Sequence, residues 1–490
     1  MILSGLLTPE HATPATDQIE IAGLTLDSRA VKPGFLFAAL PGVKLHGSAF
    51  AAQAVAQGAV AILSDRDIPG LDVPVIIADD AAAELAAMAA RFYPRQPGHI
   101  VAITGTNGKS STVEFLRQIW TAAGIDGASL GTLGVARGAS LETTGYTTPD
   151  AVALHHALDA LAADGVTHLA MEASSHGLKQ RRMDGARLAI GAFTNLTQDH
   201  LDYHPDFDDY FASKALLFTE RLPDGAGAVI NVDSRWGERM AELARTRGLM
   251  VTTIGWRGSD LHIREITPRP ASQDVVFAWR GVEHQVEVPL VGEFQVLNAL
   301  GAAAIALVEG VALNVVLKTL GQLGGVPGRL EKVGETEAAA PVLVDYAHTP
   351  DGLDKLLRSA RPHTRGRIIL VFGCGGDRDP TKRAKMGEIA ARQADHVIVT
   401  DDNPRSEDAA LIRAAILDGC PDAEEIADRA AAIARGVALL QPGDCLLLAG
   451  KGHETGQTVA GVVHPFDDRE QGRKALLARQ AYLGREGADA

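Results

Sequence analysis

Residues 99–112 read HIVAITGTNGKSST, and they decide the fold class. The apolar run IVAI suits a buried strand. The following STVEFLRQIWTAAG repeats Val113, Leu116, Trp120 and Ala123 on one helical face. Between them lies a glycine turn ending in Gly-Lys-Ser. Strand, glycine turn and helix in that order suit a phosphate-binding loop, because N–H groups at a helix N-terminus converge on anionic oxygens and glycine permits close approach. Gly105, Asn107 and Gly108 can form such a turn around a nucleotide's phosphates, with Thr106 and Ser111 in the same loop. Lys109 would reach the β- and γ-phosphates, and Ser110 would ligate Mg²⁺. The competing reading, a glycine turn with an incidental lysine, does not need that context. The spacing is unusual: the first glycine of the common pattern falls at Ile103, and Gly105 lies only three residues before Gly108.

The surrounding chain has 490 residues, 46% hydrophobic and 22% charged, which is a globular composition. Its length predicts roughly three domains. A formal charge of −15 argues against a nucleic-acid-coating surface. No apolar run approaches the ~18 residues of a membrane span, and MILSGLLTPEHATP is a poor signal peptide. Cys374, Cys420 and Cys445 show neither metal spacing nor an even disulfide framework. The expectation is a cytoplasmic, monomeric α/β protein with ordinary buried thiols.

The Pro-rich stretch YPRQPGH, residues 93–99, reads as a linker, and GGVPGRLE, 324–331, as a second junction. These give domains at 1–96, 97–327 and 328–490. Strand-like runs at THLAME, RLAIGAFTNL and GAVINVD alternate with helical patterns in the middle part, and DVVFAWRGVEHQVEVPLVG reads as a hairpin. From 330 a second alternation begins. Its strand ends carry Asp345 with His348, GGDRD with Arg378, DDNPR with Arg405, and GKGHE with Glu454. Ligands bind outside the carboxyl ends of strands in parallel sheets, so four such clusters mark one face as a site. Arginine forks suit carboxylates, and Asp402 and Glu454 suit an ammonium.

Two middle-domain clusters stay open on residues alone. Glu172 ends a buried run and is either a Mg²⁺ ligand or part of a solvated loop. His200, Asp202 and His204 invite zinc, yet lack the accompanying motif. Lys214, taken locally, reads as a surface lysine paired with Asp209.

Together GTNGKS, MEASSHGL, NLTQDHLDYH, DYAHTPD, GGDRD, DNPR and GKGHE resemble the Mur ligase family, from DSR at 27–29 to GKGHE at 450–454. There the shorter glycine loop is a family trait. Folylpolyglutamate synthetase shares the loop but lacks the C-terminal set. The resemblance implies three domains: an N-terminal α/β UDP-binding domain, a central P-loop-type ATPase with a mostly parallel sheet, and a C-terminal Rossmann-like amino-acid-binding domain. Domain closure is then expected. It also implies ATP-dependent amide formation through an acyl phosphate, on the D-Glu γ-carboxylate of UDP-MurNAc-L-Ala-D-Glu.

By the same resemblance, Leu26 and Ser28 contact uridine, and Thr147, Thr148, Ser174, Gln180 and Arg182 contact the UDP-MurNAc-dipeptide. Ser110, Glu172 and His200 hold Mg²⁺, and Lys214 is carbamylated (N6-carboxylysine) to help hold a second ion. Asn298, Arg329 and Asp345 contact the nucleotide. Arg378, Asp402, Asn403, Pro404, Arg405, Gly450 and Glu454 bind the amino acid, and Arg405 in DNPR points to meso-diaminopimelate rather than lysine. The sequence departs from the family pattern at VKLHGSAF, with His46 where an Asp-Gly pair is common, and at Tyr146. The alternatives are a lysine-adding or sister ligase, a P-loop phosphotransferase or motor ATPase, and a nucleotide-gated scaffold.

Overall fold

The computed structural model describes residues 1–42, 45–138, 140–142, 147–197 and 204–486. The described chain forms two compact units. One comprises Met1–Ser259 with Ala304–Val311, and the other Asp260–Ala303 with Ala312–Ala490. Both are α/β.

In the first unit, β1 (Gly23–Thr25), β2 (Phe35–Ala39), β3 (Ala59–Ser64) and β4 (Val75–Ile77) form a parallel sheet in chain order. Helix Ala81–Phe92 packs its Leu85, Met88 and Ala89 on the same core as Leu36 and Leu63. The quoted strand is β5 (His99–Thr104), and Ile100 to Ile103 are wholly buried, as expected of a strand covered on both faces. With β6 (Gly127–Gly131), β7 (Gly134–Arg137), β8 (Ser140–Glu142), β9 (His168–Glu172), β10 (Leu188–Phe193), β11 (Gly227–Asn231) and β12 (Met250–Gly255) it builds the order β12-β11-β10-β5-β9-β6-β7-β8. The run from β12 to β6 is parallel, and β7 and β8 add antiparallel. Helix Lys109–Ala122 buries Val113, Leu116 and Trp120 as the 3.6 period predicts. The central strand β5 thus delivers its C-terminal turn to the middle of a sheet edge.

The second unit contains the predicted hairpin, β14 (Gln273–Trp279) against β15 (Val282–Val288), preceded by β13 (Leu261–Pro268). Its larger sheet comprises β16 (Glu331–Glu335), β17 (Pro341–Asp345), β18 (Ile368–Phe372), β19 (His396–Val399), β20 (Glu424–Glu425) and β21 (Cys445–Ala449), ordered β16-β17-β21-β18-β19-β20. All pairs but the first are parallel. Leu343, Leu370, Val399 and Leu447 share one core with helix residues Leu353, Leu357 and Met386.

Cys374, Cys420 and Cys445 are all buried and free. Burial pushes the Cys374 and Cys445 thiols up to about 12 and Cys420 up to about 11, which leaves them as inert thiols. Among the described residues no helix is long and apolar enough to cross a membrane.

Candidate active site

The turn after β5 is built for close approach. Gly105 has φ +151°, and a Cβ there would collide with Thr194 Oγ1. Gly108, at φ +87°, caps the helix that begins at Lys109. The strand-end residues beside β5 hold the loop: Asn107 N donates to Asn195 Oδ1 (3.0 Å) and Thr106 N to Asn195 O (2.9 Å). Thr194 Oγ1 donates to Asn107 O (2.6 Å). Lys109 Nζ folds over the loop, donating to Gly105 O and Thr106 O (2.9 Å each). Ser111 is buried on the helix's first turn.

Glu172 ends β9, and its side chain is buried next to the loop. Its Oε1 accepts from Ser110 Oγ (2.8 Å) and Thr132 N (2.8 Å), and Oε2 from Thr132 Oγ1 (3.3 Å). A Cβ on Gly131 would overlap this carboxylate, so the glycine leaves room for it. Hydroxyl and carboxylate oxygens side by side at a helix N-terminus suit a hard divalent cation. The alternative of a solvated loop does not describe Glu172.

The residues expected to contact the dipeptide join the same network. Thr147 Oγ1 lies 2.9 Å from Thr132 Oγ1, Thr148 Oγ1 donates to Glu172 O (2.9 Å), and Ser174 N donates to Thr148 Oγ1 (3.1 Å). Ser174 also caps helix Ser175–Lys179. Arg182 donates to Thr148 O (2.7 Å) and to Gln180 Oε1 (3.0 Å). Tyr146 and His200 lie outside the described residues, as do Val43 and Lys44.

Lys214 is not a surface lysine paired with Asp209. It is 1% exposed on helix Phe207–Leu216, its Nζ donates to Gly105 O (2.9 Å), and it stands 4.4 Å above the Tyr210 ring. Tyr210 in turn donates to Thr106 Oγ1 (3.2 Å). A π-helical turn, Leu217–Arg221, follows directly, a feature frequent at functional sites. Asp209 instead meets His204 Nδ1 (2.6 Å) and Lys179 Nζ (3.0 Å), which hold its carboxyl below the usual range. Of the histidines considered for zinc, His204 is thus engaged with Asp209 and, through Nε2, with Ser175 (3.0 Å).

Leu26 and Ser28 line a cleft of about 940 Å³ in the first unit, together with Phe50, Gln53, Tyr93 and His156. Apolar walls with a few polar groups suit a nucleoside-sized ligand. His46 caps the turn Gly47–Phe50 by accepting from Ser48 N (3.1 Å), and its Nε2 faces Asp65 (3.0 Å). That accounts for the histidine in this loop.

In the second unit the strand-end clusters do converge. Asp402 and Asn403 follow β19 and are buried. Gly450 follows β21 at φ +115°, and a Cβ there would run into Asp402 Oδ2. Burial pushes the Asp402 carboxyl up, opposed by Arg429 and Lys451. Asn403 donates to Glu454 Oε2 (2.8 Å) and accepts from Thr458 N (2.9 Å). Pro404 is buried, and Arg405 sits at φ +53°, a left-handed conformation costly for a bulky residue. The guanidinium of Arg405 donates to Gly376 O (2.7 Å) in the GGDRD loop, where Arg378 is exposed. Two basic forks and two acids therefore share one end of this sheet.

Asn298 is buried on helix Glu293–Val308. The Arg329 guanidinium lies 5.4 Å from the Tyr346 ring. Asp345 accepts from Leu330 N and Ala347 N (2.8 Å each), and burial pushes its carboxyl up. These three belong to the second unit.

Family models match in chain order: the Mur ligase family catalytic domain over 20–93, the Mur ligase middle domain over 103–306, and the Mur ligase glutamate ligase domain over 328–452. The chain is 50% identical over 472 residues to a UDP-N-acetylmuramoyl-L-alanyl-D-glutamate--2,6-diaminopimelate ligase of Brucella melitensis, covering 96% of this chain and 97% of the relative. The chain belongs to the Mur ligase family. A Caulobacter vibrioides ligase of the same description is 52% identical, covering 94% and 96%. A solved structure so described superposes with a TM-score of 0.71 at 33% identity, covering 95% of this chain and 96% of that one. A MurF of Acinetobacter baumannii shares the fold at 20% identity, with a TM-score of 0.59 over 94% and 93%.

Some residues of this Mur ligase site lie within or beside the quoted motifs without being singled out there. Lys451 is wholly buried and donates to Gly456 O (2.6 Å), Asn403 Oδ1 (3.1 Å) and Glu454 Oε2 (3.3 Å). Its place in GKGHE, two residues beyond the apolar strand β21, was the available signal. Thr194 and Asn195, which clamp the phosphate loop, follow β10, and Asn195 opens the quoted NLTQDHLDYH.

Proposed function

We propose that this chain joins meso-2,6-diaminopimelate to the D-Glu γ-carboxylate of UDP-MurNAc-L-Ala-D-Glu, at the expense of ATP, in peptidoglycan precursor synthesis. The reading is carried by one observation: Arg405 of DNPR stands beside Asp402, Asn403 and Glu454 at a sheet end, in a chain half identical to ligases of that description. The three domains of the reading are 1–96 for the UDP moiety, 97–327 for ATP and 328–490 for the amino acid.

The loop N–H groups of Gly105 to Ser111 and the Lys109 ammonium would bind the β- and γ-phosphates. Ser110, Glu172 and His200 would hold Mg²⁺, and the Ser110–Glu172 oxygen pair supports that fit. When bound, the ion supplies positive charge to the phosphate oxygens. A carboxylate oxygen of D-Glu bonds to the γ-phosphorus as the bond to ADP breaks. The amine of diaminopimelate then attacks the acyl carbon, and phosphate leaves with the C–O bond. Thr147, Thr148, Ser174, Gln180 and Arg182 would orient the dipeptide, and Leu26 and Ser28 the uridine. Asn298, Arg329 and Asp345 would steady the nucleotide. Lys214, buried against Gly105 O, is the proposed carbamate: CO₂ on its Nζ replaces a cation with an anion that would help hold a second Mg²⁺.

Diaminopimelate carries two ammonium and two carboxylate groups. Asp402 and Glu454, the latter through Asn403, suit an ammonium, with Gly450 leaving the space. Arg378 and Arg405, with Pro404 fixing the turn, suit the carboxylates. Lysine would leave the Arg405 guanidinium with Gly376 O but without a carboxylate partner. The protein is proposed to act as a cytoplasmic monomer on these small molecules.

The test is phosphate release from ATP with each substrate omitted in turn. The reading expects release only when UDP-MurNAc-L-Ala-D-Glu and the amino acid are both present. Equal release without the amino acid would favour a phosphotransferase or motor ATPase.

A further inference from the structure

His99 opens β5 and His168 opens β9, and the two are register partners in that parallel pair. Paired positions on neighbouring strands present side chains to the same face. Their rings stack with centroids 4.9 Å apart and planes 7° from parallel. Glu309, just beyond helix Glu293–Val308, brings a carboxylate to them, and the three donor atoms lie within 4.8 Å of one another. This triad sits at the strand starts, whereas Gly105 and Glu172 sit at the strand ends. Six residues of β5 separate His99 from Gly105, about 20 Å at ~3.3 Å per residue. None of its members has a part in the proposed ligation.

The surroundings orient two of the three ligands, Glu309 and His168. Trp120 Nε1 donates to Glu309 Oε2 (2.8 Å), which directs demand to Oε1. Oε1 is buried and has no hydrogen-bond partner, the side chain is 3% exposed, and His99 Nδ1 stands 3.8 Å away. Thr167 Oγ1 donates to Asp126 O (3.1 Å), so toward His168 Nδ1 (2.9 Å) it accepts. That places the His168 proton on Nδ1 and leaves a lone pair on Nε2. Such outer partners are what fix a metal-binding imidazole and carboxylate in place.

We propose that His99, His168 and Glu309 bind a borderline divalent metal ion, Zn²⁺ foremost, with water at the fourth position. Two imidazoles and one carboxylate form a donor set that zinc accepts and magnesium, with its preference for oxygen, does not. Bonds of about 2.0–2.1 Å set tetrahedral donors roughly 3.3 Å apart. The triad, whose donor atoms lie at most 4.8 Å apart, therefore closes by up to about 1.5 Å, and His99, half exposed, is free of packing on one side and can move. The ion would tie three distant points of the chain together and favour the folded state by binding it alone.

The experiment titrates Zn²⁺ into the full-length protein, saturated with Mg-ADP to occupy the nucleotide site, by calorimetry and tryptophan fluorescence. One ion per chain should bind, with quenching of Trp120 and a rise in melting temperature. His99→Ala, at the exposed ligand, and Glu309→Gln, which keeps an acceptor for Trp120, should each weaken binding at least about tenfold and abolish the rise. Both should retain ligation as measured by phosphate release, which also shows that they fold. Binding equal in wild type and both variants, or no binding by the wild type, overturns the proposal and leaves the triad a histidine–carboxylate cluster.

Discussion

Lys451→Met preserves most of the side-chain volume and removes one charge. The wild-type ammonium is completely buried and has three acceptors: Gly456 O, Asn403 Oδ1 and Glu454 Oε2. Hydrogen bonds to a charged group contribute about 1.5–3 kcal/mol each, and stripping one partner from a buried pair costs about 3–5 kcal/mol. Those values overlap rather than add. Glu454 is a third exposed, so its ionic share is screened by solvent. Asn403 Oδ1 keeps Thr458 N, and Gly456 O is the acceptor that loses this charged donor. A loss of about 3 kcal/mol is therefore expected in urea unfolding. Asn403 and Glu454 would also lose their common anchor, raising KM for the amino acid at least about tenfold while KM for ATP stays unchanged. A loss under about 0.5 kcal/mol with both KM values unmoved would refute the view that Lys451 positions these residues.

Lys214→Ala should abolish most phosphate release, and acetate or propionate at high concentration should restore part of it by standing in for the carbamate. Full activity without rescue would remove that role. The pH profile offers a separate check through Asp402, whose carboxyl burial pushes up. As pH falls, Asp402 takes a proton earlier than an ordinary aspartate and loses its attraction for an ammonium. The acid limb of kcat/KM for the amino acid should thus lie above the usual carboxylate range, and Asp402→Asn should lower kcat/KM at neutral pH and eliminate the limb. A limb that persists in the variant would assign it to another group.

The architecture was legible where periodicity and turn chemistry agreed. The strand IVAI, the glycine turn and the face of Val113, Leu116 and Trp120 appear as read, because burial on both sides of β5 leaves a parallel strand few alternatives. The placement of Lys214 beside the glycine loop was expected only through family resemblance. Local charge favoured Asp209, but Lys214 lies four positions after Tyr210, and that spacing puts both on the buried helical face. The His99–His168–Glu309 triad depends on strand register and on a helix end far away in sequence. Short-range patterns carry no record of either. The two compact units also divide the chain at Ser259 and return at Ala304–Val311, a grouping set by tertiary packing rather than by the Pro- and Gly-rich breaks.

The central claim is that Arg405 and its neighbours select the added amino acid. Its most direct test is kcat/KM for phosphate release with UDP-MurNAc-L-Ala-D-Glu, comparing meso-diaminopimelate with L-lysine. A site whose arginine finds no carboxylate on lysine should prefer diaminopimelate by at least about a thousandfold. Equal or better use of L-lysine would contradict the account.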